Sequence, residues 1–208
     1  MRATVFIDVL SHWCLAAVPA IRVLTELTPN VEIVLAPIKG NAPAGYTNEM
    51  MRWWLERGAL AYGRKLRADW CEGPQTTSWF ANAIASIGGE ENGEPLRAAH
   101  AVMSGALEQG LKLGRADECF EFMARYLKTN ASEIGKRVAD PALAAKLDGG
   151  NRRLREAGAD ERPTFLLEGE IGDRALLKGL WQKELVAAAG LAILHDERAY
   201  TTAGPPPF

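Results

Sequence analysis

The feature that most constrains this chain is the long gap between its strands. Thr4-Val5-Phe6-Ile7 and Val31-Glu32-Ile33-Val34-Leu35 are largely β-branched or aromatic runs, the pattern of buried strands. Between them, Leu15, Val18, Ile21, Leu24 and Leu27 recur at helical spacing. Strand, helix and strand in that order form a βαβ unit whose strands run parallel. Pro19 removes a backbone donor within the helix and predicts a kink there. After the Pro- and Gly-rich "APIKGNAPAG", strand signals stop until Thr164-Phe165-Leu166-Leu167. Glu168-Gly169-Glu170 then reads as a turn, and Asp173 to Lys178 as an antiparallel partner. Gln182 to Leu194 reads as a closing helix.

The stretch in between is helical. Spacing predicts helices over 47–62, 77–86, 95–112, 116–128 and 131–147, separated by breakers such as Gly73-Pro74 and an acidic loop, "GGEENGEP". The closing hairpin and helix cannot bury a core alone, so they must return to the first sheet. The expected organisation is an α/β domain built from 1–45 and 150–198, an all-helical insertion at 46–149, and an extended Pro-rich tail at 199–208. There is no internal repeat.

Composition restricts the partners. The 208 residues are 48% hydrophobic with a formal charge of −2 and show no basic stripe, which argues against nucleic acid and anionic membranes and leaves small molecules and proteins, with a small-molecule substrate the expected partner. The start "MRATVFIDVL" lacks the pattern of a signal peptide, so a cytoplasmic protein with reduced thiols is expected. Cys14, Cys71 and Cys119 are odd in number and widely spaced, which suits neither a disulfide framework nor a zinc site. No dinucleotide fingerprint, P-loop, nucleophile elbow or paired-His metal motif is present. Gly88-Gly89 is followed by acids, which would repel phosphate.

Candidate chemistry gathers in "DVLSHWCLAA", at the first strand-to-helix junction. Ser11 is either a hydrogen-bond donor to a ligand or a helix N-cap. Cys14 is either a reactive thiol or a small buried apolar residue. His12, placed for exposure, is a candidate acid or base, and Trp13 is a wall of the site or part of the core. His100 and His195 lie on expected helices without ligand-spaced partners. Trp53, Trp54, Tyr62, Trp70 and Trp79 are either aromatic core or the wall of an apolar pocket.

The order βαβ, helices, ββα, with "FIDVLSHWCLAA" after the first strand and "ERPTFLLEGE" opening the third, resembles the DsbA-like branch of the thioredoxin fold. That branch includes the kappa-class glutathione transferases and the 2-hydroxychromene-2-carboxylate isomerases. "YGRKLR" is similar to a short segment that many members carry. The resemblance implies that Pro163 is a cis-proline, with Arg162, Pro163 and Thr164 lining the ligand site. Dithiol members carry Cys-x-x-Cys where this chain has Ser11 and Cys14. A serine hydroxyl cannot perform thiol-disulfide exchange, so the resemblance implies glutathione as the source of sulfur, with transferase or isomerase chemistry and no metal. Alternatives stay open: a redox-inactive binding module holding a peptide or small ligand at the cis-proline loop, a thiol oxidoreductase working through Cys14, and a homodimeric assembly. The implied cluster holding the γ-glutamyl end is reduced here to "LLKGLWQKEL", where Gly179 remains and no carboxylate appears before Glu184. Arg162 can grip a carboxylate or pair with Asp160 or Glu161.

Overall fold

A computed structural model of the chain describes residues 1–38, 48–71 and 77–203, apart from the side chains at 48, 51, 60–62 and 203. Four strands form one sheet: β1 (Arg2–Ile7), β2 (Val31–Leu35), β3 (Thr164–Glu168) and β4 (Arg174–Lys178), in the order β2-β1-β3-β4. β1 and β2 are parallel, while β1 with β3 and β3 with β4 are antiparallel. This is the expected βαβ unit joined by the returning hairpin.

Alternation along the strands divides the core between two faces. Ala3, Val5, Ile7, Phe165 and Leu167 share one buried cluster with α2 (Val18–Leu27) and α9 (Lys183–Ala203). The other face places Phe6, Val34 and Leu166 against Leu154 of α8 (Pro141–Glu156). The helices α3 (Asn48–Tyr62), α4 (Ser78–Asn92), α5 (Pro95–Leu107), α6 (Ala116–Leu127) and α7 (Ala131–Val138) form the middle block. Ile84, Met103, Leu107 and Met123 of that block are fully buried in the first cluster.

Several boundaries differ from expectation, each for a local reason. The first helix is not kinked at Pro19: α1 (His12–Ala16) ends at Ala17, and Pro19 stands in the first turn of α2, where a missing N–H costs nothing. α4 runs through the expected acidic loop, because Gly88 and Gly89 permit close packing. A Cβ at Gly89 would lie 2.9 Å from Pro95 Cα, and one at Gly88 3.0 Å from Met123 Sδ. Gly93, with φ 64°, then ends α4. The expected helix over 131–147 is two helices, since Asp140 accepts a hydrogen bond from the Ala142 N–H and Pro141 begins α8. α9 continues to Ala203 instead of giving way to an extended tail at 199. Glu197 anchors its later turns by pairing with the Met1 ammonium at 3.0 Å and accepting from the Glu170 N–H at 2.7 Å. The expected loop at 39–45, the Gly73-Pro74 breaker, the Tyr62 side chain and positions 204–208 lie outside the described residues.

One contact fixes the layer beneath the site. At Gly150 of α8 an added Cβ would stand 2.1 Å from the Leu35 carbonyl oxygen, so the helix backbone rests directly on the end of β2. Gly150→Ala is therefore expected to lower the unfolding free energy by about 1–3 kcal/mol or more, measured by urea titration.

Candidate functional site

The site forms where β1 ends. Phe6 pairs with Thr164, Ile7 pairs with Leu35, and the Ala36 N–H donates to the Ile7 carbonyl at 2.8 Å. Residues 8–14, 36–38 and 162–164 thus converge. The Asp8 carboxylate, 1% exposed, ties them together. One of its oxygens accepts from the Leu10 N–H at 2.9 Å and from Asn82 Nδ2 at 3.0 Å, and the other accepts from the Ile38 N–H at 2.7 Å. Asn82 also accepts from the Val9 N–H, and Ser78 donates to the Ile38 carbonyl.

Ser11 is half-buried at the N-cap of α1, and its side chain makes no capping bond. The hydroxyl acts on the Cys14 thiol one turn away, where it favours the ionised form. Cys14 is fully buried and accepts from the Asp8 N–H at 3.4 Å. Burial pushes its thiol up to about 12, partly offset by the Asp8 N–H, the Ser11 hydroxyl and the charge of Arg162. Such a thiol stays protonated at neutral pH. Cys14 is thus not poised as a nucleophile, in contrast to the reactive reading.

His12 is not exposed as its sequence position suggests. Its ring lies against α3, where a Cβ at Gly58 would come within 2.5 Å of its Cδ2, and burial lowers its pKa to about 4. The imidazole is neutral at pH 7, so it is no proton donor there. Trp13 packs against His12, with ring centroids 4.7 Å apart, and stacks on Trp181 at 6.3 Å. Trp181 precedes α9, so this stack brings the β4–α9 connection to the site.

Arg162 folds back over the end of β2. Its Nε donates to the Ala36 carbonyl, and its two terminal nitrogens donate to the Asp160 carbonyl and to Asn151 Oδ1, each at 2.6 Å. It pairs with neither the Asp160 nor the Glu161 side chain. Burial lowers its pKa, while the negative charges of Asp8 and Asp160 act to raise it. The Arg162–Pro163 peptide is cis, and the Pro163 carbonyl accepts from the Gly179 N–H at 2.9 Å. The Thr164 side chain is turned inward instead of lining an open site: it is fully buried, and its hydroxyl donates to the Glu161 carbonyl at 2.9 Å.

The aromatic wall is not formed as one piece. Trp53 and Trp54 are exposed on α3, while Trp70 and Trp79 pack on the core. His100 is half-buried, and His195 is exposed beside Asp196. Among the described residues no group of His, Cys, Asp and Glu is arranged to hold a metal, and no helix is long and apolar enough to cross a membrane. Sequence reasoning missed Asn82, Asn151, Trp181 and Gly58, as well as the tying role of Asp8. Only Asp8 carries a sequence signal, a charge set within the apolar run Val5-Phe6-Ile7-Asp8-Val9-Leu10.

No protein-family model matches the sequence, and no curated protein matches it. Solved structures do match its shape. The cytosolic disulfide reductase DsbM from Pseudomonas aeruginosa superposes with a TM-score of 0.72 at 19% identity, covering 94% of this chain and 99% of that one. DsbM is also known with GSH. A 2-hydroxychromene-2-carboxylate isomerase gives 0.64 at 16% identity, covering 99% of this chain and 100% of that one. A probable DsbA oxidoreductase from Streptomyces coelicolor gives 0.66 at 17% identity, covering 94% and 91%. The chain therefore has the DsbA-like thioredoxin fold across nearly its whole length, the architecture that the sequence resemblance implied.

The buried imidazole yields a pH expectation. Its folded pKa lies below the unfolded value, so the unfolded state binds the proton first. The stability that follows from a neutral His12 is complete above about pH 6.5 and declines toward pH 4. Gly58→Ala should displace the ring toward water and return its pKa toward 6.5. NMR titration of the His12 ring in both proteins measures this directly.

Proposed function

We propose that this is a DsbA-like thioredoxin-fold enzyme whose working sulfur arrives with its ligand. Glutathione or a related thiol would sit beside Ser11 and Arg162 and act on a small organic substrate by transferase or isomerase chemistry. The observation that carries this reading is the state of Cys14. Among the described residues it is the thiol of this site, and it is fully buried with its pKa pushed up to about 12. The position that would carry an attacking cysteine holds Ser11, whose hydroxyl can donate but is not ionised at pH 7.

Each residue then has a chemical task. Ser11 donates to the ligand's sulfur and favours its thiolate, and the Arg162 cation adds to that preference while the thiol proton passes to water. The thiolate adds to an electrophilic carbon of the substrate and forms a carbon–sulfur bond. In transfer, a leaving group departs with its electron pair; in isomerisation, the sulfur itself departs after the rearrangement. Trp13 stacked on Trp181 supplies an apolar wall beside the reacting centre. Glu161 offers a partner for a ligand ammonium near Gly179, since its carboxylate lies 3.9 Å from where a Cβ at 179 would stand. Three free, buried thiols suit a reducing cytoplasm, and the glutathione complex of DsbM gives the fold a precedent for this ligand.

A second reading, a binding module without redox or transfer activity, is favoured by the same silent Cys14. Titration of the ultraviolet absorbance of bound glutathione against pH separates the two. The enzyme reading expects the bound thiol pKa to fall well below its free value. Ser11→Ala should raise that pKa by roughly one to two units, the loss of one hydrogen bond to a charged acceptor. Binding with no pKa change would favour the module, and no binding would refute glutathione as the ligand. Native insulin reductase activity should be negligible and should increase in Ser11→Cys, which restores Cys-x-x-Cys.

A further inference from the structure

We infer that Asn151 is a positioning residue for the Ser11 site: from α8 it holds the Arg162 guanidinium beside the ends of β1 and β3 through a neutral contact, leaving that charge available to an anionic sulfur. Asn151 is 4% exposed, although it lies in a helix otherwise rich in charge. Its amide is used at both ends. Oδ1 accepts from Arg162 at 2.6 Å, and Nδ2 donates to the Pro37 carbonyl at 3.0 Å. The amide thereby joins the loop before β3 to the segment after β2, where Ala36 also accepts from Arg162 and Ile38 is held by Asp8.

Asn151 reaches this place because Gly150 brings the helix backbone onto Leu35. A larger residue at 150 would lift the amide away from Pro37.

The choice of an amide has an electrostatic consequence. The hydrogen-bond acceptors of Arg162 among the described residues are two carbonyls and this amide oxygen, all uncharged. A carboxylate in contact would cancel most of the cation's field at close range. The charged groups acting on Arg162 beyond these contacts are Asp8, Asp160 and Arg155, and the protonated Cys14 thiol carries no charge at neutral pH. His12 is neutral above about pH 4 and does not compete. Three of the five guanidinium N–H groups are engaged with these neutral acceptors, so the side chain is held in place without losing its charge.

The role assigned to Asn151 rests on the reading that Ser11 faces a sulfur, and its test is independent of whether glutathione binds. In a Ser11→Cys, Cys14→Ala background the installed thiol reports the local field directly, because Cys71 and Cys119 are buried. Its pKa is read from the pH dependence of iodoacetamide alkylation. Asn151→Ala should raise that pKa, lowering the thiolate fraction at neutral pH about three- to tenfold. Arg162→Gln should do the same. The double variant should be no worse than Arg162→Gln alone, because Asn151 acts through Arg162. If Asn151→Ala does not fold, Asn151→Asp keeps an acceptor for Arg162 while cancelling its charge, and it should raise the thiol pKa as well. An unchanged pKa in a folded Asn151 variant, or additive shifts in the double variant, would overturn the assignment. Failure of glutathione to bind the native protein would count against the proposed ligand only.

Discussion

The Asp8 carboxylate is the interaction on which the site depends. It is buried at the end of the central strand and satisfied by two backbone N–H groups and one side-chain amide from three parts of the chain. A buried charge is tolerated only when hydrogen-bonded in this way. The requirement therefore sets the turn into α1, the path of residues 36–38 and the position of α4. Ser11, Cys14 and the loop before β3 take their places around it.

Burial and charge placement then set the chemistry of each group. Cys14 keeps its proton because its sulfur is removed from water, and His12 loses its proton for the same reason acting on the opposite charge type. Arg162 retains its charge within a cage of neutral acceptors. The outcome is a cation and an un-ionised hydroxyl around a place from which the usual attacking thiol is missing.

Glycines decide how closely the helices approach this centre. Gly58 makes room for the His12 ring, Gly150 seats α8 on β2, and Gly88 with Gly89 lets α4 meet α5 and α6. The same Gly88-Gly89 pair reads in the sequence as a loop. Local propensity and tertiary packing disagree there, and packing prevails because a side chain at either position would collide with a neighbouring helix.

Much of the architecture was legible in the residues themselves. Runs rich in β-branched and aromatic residues placed β1 and β2, the apolar run Thr164-Phe165-Leu166-Leu167 and the turn after it placed β3 and β4, periodicity placed most helices, and "FIDVLSHWCLAA" with "ERPTFLLEGE" pointed to the DsbA-like fold and to Ser11, Arg162 and Pro163. Strand and helix patterns are local and leave a periodic trace in the chain. Only the tertiary structure decided that Cys14 is sealed, that His12 is buried against Gly58, that Thr164 closes its own loop, and that Asn151, Asn82 and Trp181 belong to the site. These properties depend on desolvation and on contacts between residues as far apart as Asp8 and Asn82 or Pro37 and Asn151. Such long-range proximity has no local sequence signature, because it exists only after the sheet and helices have packed.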